Sequence, residues 1–173
     1  MYDLRASHAI KDVAARYNGK AVMNRVGHAF FKGTMRELNA VFGGEVTGHY
    51  YFRENFYCDN GFIPAMLMLE LMSKKGQSLK QMLEPLRKRY FISGEINTKM
   101  PSMAHVNEKL NAIASRYKDA HIYRMDGISV EYPDWHFNVR PSNTEPLLRL
   151  NLEGNSQALM EEKRDEVLQL IRS

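Results

Sequence analysis

Two short polar stretches carry the residue types and spacings that could do chemistry. The first is Gly43-Gly44-Glu45-Val46-Thr47-Gly48-His49. Its glycines permit tight turning, and Glu45, Thr47 and His49 stand at i, i+2 and i+4. In an extended segment that spacing puts a carboxylate, a hydroxyl and an imidazole on one face, a set of donors and acceptors suited to sugar hydroxyls. The alternative is a glycine-kinked strand with ordinary surface polar residues. The second stretch is Arg140-Pro141-Ser142-Asn143-Thr144-Glu145-Pro146. Arginine offers a planar fork for phosphate, and Ser142, Asn143 and Thr144 add small donors beside backbone N–H groups. Two prolines restrict the entry and exit, so those donors are partly preset. The alternative is a turn that satisfies only its own backbone.

Composition limits what these loops can belong to. The chain has 173 residues, 44% hydrophobic and 25% charged, with a formal net charge of +4, the profile of a folded globular protein. Its one cysteine, Cys58, excludes an internal disulfide framework and a cysteine-based zinc cluster, and reads as a small buried or half-buried filler. No apolar run reaches the roughly 18 residues of a membrane span, and no signal-peptide core is present, so a cytoplasmic setting is expected. Residues 1–91 carry a net charge of +6 and residues 92–173 a net charge of −2. No basic run with interleaved aromatics accompanies the excess, which favours phosphate on a metabolite over a nucleic-acid backbone.

The elements that must position the loops follow from periodicity. Strands are predicted at Tyr2–Ala6 and Lys20–Val26, and helices over about 8–18, where Ser7 can cap, and over Ala29–Asn39. Val41–Phe52 reads as extended but glycine-broken, followed by helices over Phe62–Lys75 and Ser78–Arg89. Strand and helix alternate as in a parallel α/β layer. After residue 90 the pattern changes. Tyr90–Met100 reads as extended and Met103–Tyr117 as a helix. Ile128/Val130/Tyr132, Trp135/Phe137/Val139 and Leu148/Leu150/Leu152 then alternate strictly with polar neighbours, which predicts an antiparallel sheet with one wet face. A helix over about Ser156–Ile171 closes the chain. The expected fold is α/β: a partial parallel-type layered domain at 1–90, then an α+β domain at 91–173 with a four-stranded, mainly antiparallel sheet and helices on one face.

The two loops, in this order and about 90 residues apart, resemble those of the α-D-phosphohexomutase superfamily, and specifically its bacterial phosphomannomutase/phosphoglucomutase branch. Gly44–His49 is similar to the sugar-recognition loop of that family's third domain, and Arg140–Pro146 to the phosphate-binding loop of its fourth. Asp126-Gly127, Tyr132-Pro133, Trp135 and Gly27-His28 add to the likeness. The resemblance implies that residues 1–90 are a sugar-recognition domain and 91–173 a phosphate-binding domain. It implies that Glu45, Thr47 and His49 contact or position the sugar. Arg140, Ser142, Asn143 and Thr144 are implied to hold the phosphate that is not being transferred, with Glu145 orienting the loop. His28 and Arg5 match positions facing the reacting phosphate. The other histidines, His8, His105, His121 and His136, are expected on solvated surfaces, and the eleven methionines in the core.

The family also carries a phosphoserine loop and a three-aspartate magnesium loop. The seven aspartates here, Asp3, Asp12, Asp59, Asp119, Asp126, Asp134 and Asp165, include no pair separated by one residue. The expectation is therefore the C-terminal part of such an enzyme, with the third domain shortened and no metal site of its own. Mg2+, the phosphoserine and partner domains would lie in a preceding N-terminal part. The implied activity interconverts hexose 6-phosphate and hexose 1-phosphate, of mannose or glucose, through a bisphosphate. Val46 stands where glucosamine-type mutases carry glutamine, which argues against an amino sugar. No nucleic-acid or membrane partner is expected. The alternative is a stand-alone, non-catalytic phosphosugar-binding or interaction module.

Overall fold

In the computed structural model, which describes residues 1–173, strand β1 (Tyr2–Asp3) lies parallel to β2 (Met23–Asn24) on one side and to β3 (Phe42–Gly44) on the other. Strand β4 (Tyr50–Phe52) returns antiparallel to β3 and completes the sheet order β2-β1-β3-β4. The parallel steps run through helices α1 (Ala9–Arg16) and α2 (His28–Glu37), as the strand–helix alternation predicts. The first two strands are shorter than expected, because a turn from Ala6 N–H to the Asp3 carbonyl ends β1. Ser7 Oγ accepts the Ala9 N–H at 3.0 Å, but the N-cap position falls to His8, which makes no side-chain cap bond, so the expected Ser7 cap is displaced by one residue. Phe31 and Met35 of α2 are fully buried with Tyr51 of β4, and the Phe31 and Tyr51 rings stack at 5.6 Å.

Helices α3 (Phe62–Lys75) and α4 (Leu79–Arg87) complete this unit, which spans Met1–Lys88. Ser78 and Gln81 form a reciprocal capping box at the start of α4. Neither helix has a buried residue, and Phe62, Met66, Leu67 and Leu69 of α3 are exposed. The expectation of core methionines therefore fails here, since apolar residues run around α3 instead of along one stripe. Cys58 is exposed as well, not a filler; it follows two positive-φ residues, Phe56 and Tyr57.

The second unit, Arg89–Ser173, is built on a sheet of six strands. Helix α5 (Met103–Arg116) follows β5 (Phe91–Ile92) and β6 (Ile96–Lys99), and β7 (His121–Tyr123), β8 (Ile128–Glu131), β9 (Trp135–Pro141) and β10 (Leu147–Gly154) precede α6 (Gln157–Arg172). All pairings are antiparallel, in the order β5-β10-β9-β8-β7, with β6 also on β10. The sequence suggests four strands. The count rises because the extended stretch before Met100 is broken at Ser93–Gly94 into two strands, and His121–Tyr123 adds an edge.

Ile128, Val130, Phe137, Val139, Leu148, Leu150 and Leu152 turn to one side of the sheet and pack with Val106 and Ile113 of α5 and Met160, Val167 and Ile171 of α6. Alternation thus puts the helices on one face, as expected. The opposite face is polar but not wet: Ser129, Asn138, Arg140 and Glu153 are all buried. Asn138 explains part of this, since its Nδ2 donates to Ser129 Oγ and to the carbonyls of Asp126 and Ile128. His136 is likewise not a solvated histidine. Its ring is mostly buried, with Nε2 3.2 Å from Glu153 Oε1.

Candidate functional site

The first candidate loop is not an extended segment but the tip of the β3–β4 hairpin. Glu45 N–H donates to the His49 carbonyl at 2.9 Å, and Gly48 N–H donates back to the Glu45 carbonyl at 3.0 Å. Gly48 sits at φ +87°, a value glycine reaches without strain, and a turn of this kind joins strands through three residues. The turn removes the shared face expected for Glu45, Thr47 and His49. Glu45 is buried at 5% exposure, while Thr47 and His49 are exposed.

Each of these side chains has a defined place. Glu45 Oε1 accepts the Tyr51 hydroxyl at 2.7 Å, and Oε2 accepts the Gly27 N–H at 2.9 Å. Burial, and then the Glu45 carboxylate, push the Tyr51 hydroxyl far above the ordinary tyrosine range, so it remains a donor. His49 Nδ1 lies 2.6 Å from Asp59 Oδ2, and Asp59 Oδ1 accepts the Tyr50 N–H at 3.1 Å. Burial alone would raise the Asp59 carboxyl, but the bonds to His49 and to the Tyr50 N–H, with Lys32 nearby, hold it below its usual value.

Arg5 is held close to the same tip. Its Nε and Nη2 donate to Asp3 at 3.1 and 2.7 Å, and Asp3 Oδ2 also accepts the Val46 N–H at 2.7 Å. His28 opens α2, is exposed, and follows the glycine that donates to Glu45. Arg5, Glu45 and His28 are therefore gathered around the hairpin tip through Asp3 and Gly27. Periodicity alone did not single out Asp3, Tyr51 or Asp59, because their bonds to the tip are made only in the folded hairpin. The one local signal was the short spacing of Asp3 and Arg5.

The second loop joins β9 to β10. Ser142 N–H donates to the Leu147 carbonyl at 2.8 Å and closes it. Arg140 and Ser142 are buried, and Asn143 and Thr144 are exposed at the tip, as is Glu145. Ser142 Oγ lies 3.3 Å from Thr144 Oγ1 and accepts the Thr144 N–H at 3.4 Å, which brings these two of the four predicted residues together. That long contact is also the self-satisfying turn of the alternative reading.

The setting of Arg140 is controlled by Gly127. A Cβ on Gly127 would lie 2.3 Å from the Val139 carbonyl oxygen and 2.6 Å from Arg140 Cα, at a backbone φ of +68°. Only glycine lets the Asp126–Gly127 segment press this closely on β9. Glu95 approaches two arginines: Arg140 Nη2 is 3.6 Å from Glu95 Oε2, and Arg149 Nη1 is 3.8 Å from Glu95 Oε1. Arg149 could have been found by counting outward from the loop, which puts it opposite Arg140. Glu95 had no signal of this kind.

The aspartates do not gather into a magnesium site. Asp3 is engaged by Arg5 and Val46 N–H, Asp59 by His49 and Tyr50 N–H, Asp119 by the Tyr132 hydroxyl, Asp134 by Asn155 and Asp165 by Arg164.

Residues 1–90 match the family model described as phosphoglucomutase/phosphomannomutase, alpha/beta/alpha domain III, and residues 95–170 match its C-terminal domain. A phosphomannomutase of Escherichia coli is 43% identical over 175 residues, covering 99% of this chain and 38% of that protein. One from Methanocaldococcus jannaschii is 39% identical, covering 99% and 37%. The chain thus spans under two fifths of the length of these relatives. Among solved structures, a phosphoglucomutase/phosphomannomutase family protein from Burkholderia thailandensis superposes with a TM-score of 0.80 at 26% identity, over 99% of this chain and 36% of its own. An Aspergillus fumigatus protein solved with glucose 1,6-bisphosphate shares the fold, with a TM-score of 0.66 at 13% identity, over 99% of this chain and 37% of its own. No helix of the chain is long and apolar enough to cross a membrane.

Proposed function

This chain belongs to the phosphoglucomutase/phosphomannomutase family, and we propose that it supplies the substrate-holding part of a phosphohexomutase that interconverts hexose 6-phosphate and hexose 1-phosphate. The observation that carries the reading is the Arg140–Thr144 loop, where a buried guanidinium stands beside a buried serine hydroxyl and two exposed small donors. Such a group favours a phosphate monoester, because charge-assisted hydrogen bonds are about twice as strong as neutral ones. Residues 91–173 accordingly act as the phosphate-binding domain and residues 1–90 as the sugar-recognition domain.

In this reading the loop clamps the phosphate that is not being transferred, and holding one end of the sugar fixes the attack geometry at the other. At the hairpin tip, Glu45 is aimed by its bonds to Gly27 and Tyr51 and uses remaining acceptor positions for ring hydroxyls. Thr47 and His49 add hydroxyl and imidazole contacts. His28 and Arg5 face the reacting phosphate, Arg5 held in direction by Asp3. The substrate is a mannose or glucose phosphate, and Val46 speaks against an amino sugar. Magnesium and a phosphoserine would come from other domains of the enzyme, and the setting is cytoplasmic. Identity with phosphomannomutases across 99% of the chain favours this over a stand-alone binding module.

The test is calorimetric titration of the chain with inorganic phosphate, glucose 1-phosphate, mannose 6-phosphate and free mannose. The phosphorylated ligands and phosphate should bind, and Arg140→Ala should abolish the heat. Free mannose should not bind, since hydroxyl contacts alone compete poorly with water. Binding of free mannose equal to that of its phosphate, or no binding of any phosphate, refutes the reading.

A further inference from the structure

We propose that Asp59 is a positioning residue for the sugar site: it holds His49 in the form protonated on Nδ1, so that Nε2 is presented as an acceptor for a hexose hydroxyl. The inference rests on the reading of Glu45, Thr47 and His49 as the sugar-recognition group, to which it adds a residue and a direction. His49 Nδ1 lies 2.6 Å from Asp59 Oδ2. Burial works to raise the Asp59 carboxyl, but the bonds to His49 and to the Tyr50 N–H, with Lys32 nearby, keep it below its usual value and therefore ionised. An ionised carboxylate only accepts. In the neutral ring the proton thus sits on Nδ1, and Nε2 keeps its lone pair.

An exposed ion pair is ordinarily weak, because two mobile side chains must be ordered to make it. Here the carboxylate is ordered beforehand. Its other oxygen, Oδ1, accepts the Tyr50 N–H at 3.1 Å. The backbone beside it is pinned to β4 by the antiparallel Tyr51–Asp59 bridge and by the Asn60 N–H, which donates to the Tyr50 carbonyl at 3.0 Å. Asn60 Oδ1 then accepts the Ile63 N–H at 3.0 Å in the first turn of α3. Asp59 therefore has one oxygen committed to the backbone and the other left to aim the imidazole. His49 immediately precedes β4 and is exposed, and its Nε2, across the ring from Asp59, bonds to no group of the chain. With Glu45 also an acceptor, the tip asks for sugar hydroxyls that donate.

Asp59→Asn keeps the shape of the side chain and inverts the contact. The Tyr50 N–H must be met by the amide oxygen, which turns the amide NH2 toward Nδ1. His49 should then accept at Nδ1 and carry its proton on Nε2. Long-range 1H–15N spectra of the 173-residue chain, recorded where the ring is neutral, should show the Nδ1–H form in wild type and the Nε2–H form in Asp59→Asn. Unchanged amide signals at Glu45 and Tyr51 check the fold. If those signals move, Asp59→Ala tests the same point, with His49 released to the mixed tautomers of free histidine. Mannose 6-phosphate should shift the wild-type Nε2 resonance, and Asp59→Asn should bind it about threefold less tightly, the loss of one neutral hydrogen bond. Inorganic phosphate should bind both proteins alike. An Nε2–H form in wild type, an Nδ1–H form kept in the variants, or equal binding of mannose 6-phosphate overturns the inference. So does an Nε2 resonance that stays still while residues 140–146 respond, and in each of these cases the phosphate reading stands. If mannose 6-phosphate moves neither His49 nor residues 140–146, the inference and that reading both fall.

Discussion

Glu45 Oε2 accepts the backbone N–H of Gly27 at 2.9 Å, which ties the tip of the β3–β4 hairpin to the start of α2 and so to His28. The same carboxylate takes the Tyr51 hydroxyl. Removing it orphans both donors at a buried position. Glu45→Ala should therefore cost about 2–3 kcal/mol, and Tyr51→Phe about 1–2 kcal/mol, in chemical denaturation of the first unit followed by its amide signals. Losses below about 0.5 kcal/mol in both would mean the carboxylate is not the tie.

Gly127 sets the backbone against which Arg140 stands. Gly127→Ala places a methyl within 2.3 Å of the Val139 carbonyl oxygen, so β8 and β9 must separate. The expected loss is about 3 kcal/mol or more, read from the melting of Trp135 fluorescence, together with loss of phosphate binding. Gly94→Ala is the control. Its φ is also positive, but open space surrounds it, so about 1–2 kcal/mol of backbone strain is the whole expected effect.

How much of this was legible depends on whether the information is periodic. Leu148, Leu150 and Leu152 alternate with polar residues, and that period alone places them in the core under α6. The hairpin tip was misread because Gly43, Gly44 and Gly48 break the segment without stating where it turns, and only Gly48 at φ +87° settles it. Asp3 and Val46 are 43 residues apart, and no local pattern announces their bond. The polar face of the second sheet was expected to be wet, because alternation reports polarity and not burial. Asn138 is polar and buried because its Nδ2 donates to Ser129 Oγ and to the carbonyls of Asp126 and Ile128, although its Oδ1 is left without a donor.

Glu166 links pH to the stability of the second unit. Burial would raise its carboxyl, but Lys163, the Tyr117 hydroxyl and Arg116 hold it below its usual value. A carboxyl lowered on folding adds stability above its unfolded value near 4.3, and that contribution disappears as pH falls through the lower folded value. Denaturation midpoints followed at Trp135 should fall from pH 5 to pH 3, and Glu166→Gln should flatten that slope. An equally steep slope in the variant would place the acid sensitivity elsewhere.

Helix α3 is predicted to be insensitive to polar substitution. Met66, Leu67 and Leu69 are exposed, so Met66→Lys or Leu69→Glu should change stability by less than about 0.5 kcal/mol and reduce the binding of a hydrophobic dye. A loss of 2 kcal/mol or more from either change would show that this helix is packed in solution.

The central claim is that the Arg140–Thr144 loop is a preset phosphate site, and an amide-resolved titration of the chain with inorganic phosphate tests it most directly. Saturable shifts should appear at residues 140–146, where Pro141 and Pro146 bracket the donors, with residues 44–49 nearly unmoved. The response should weaken with added salt, as expected of a charged contact, and vanish in Arg140→Ala. Saturable shifts elsewhere, with 140–146 silent, would contradict the account.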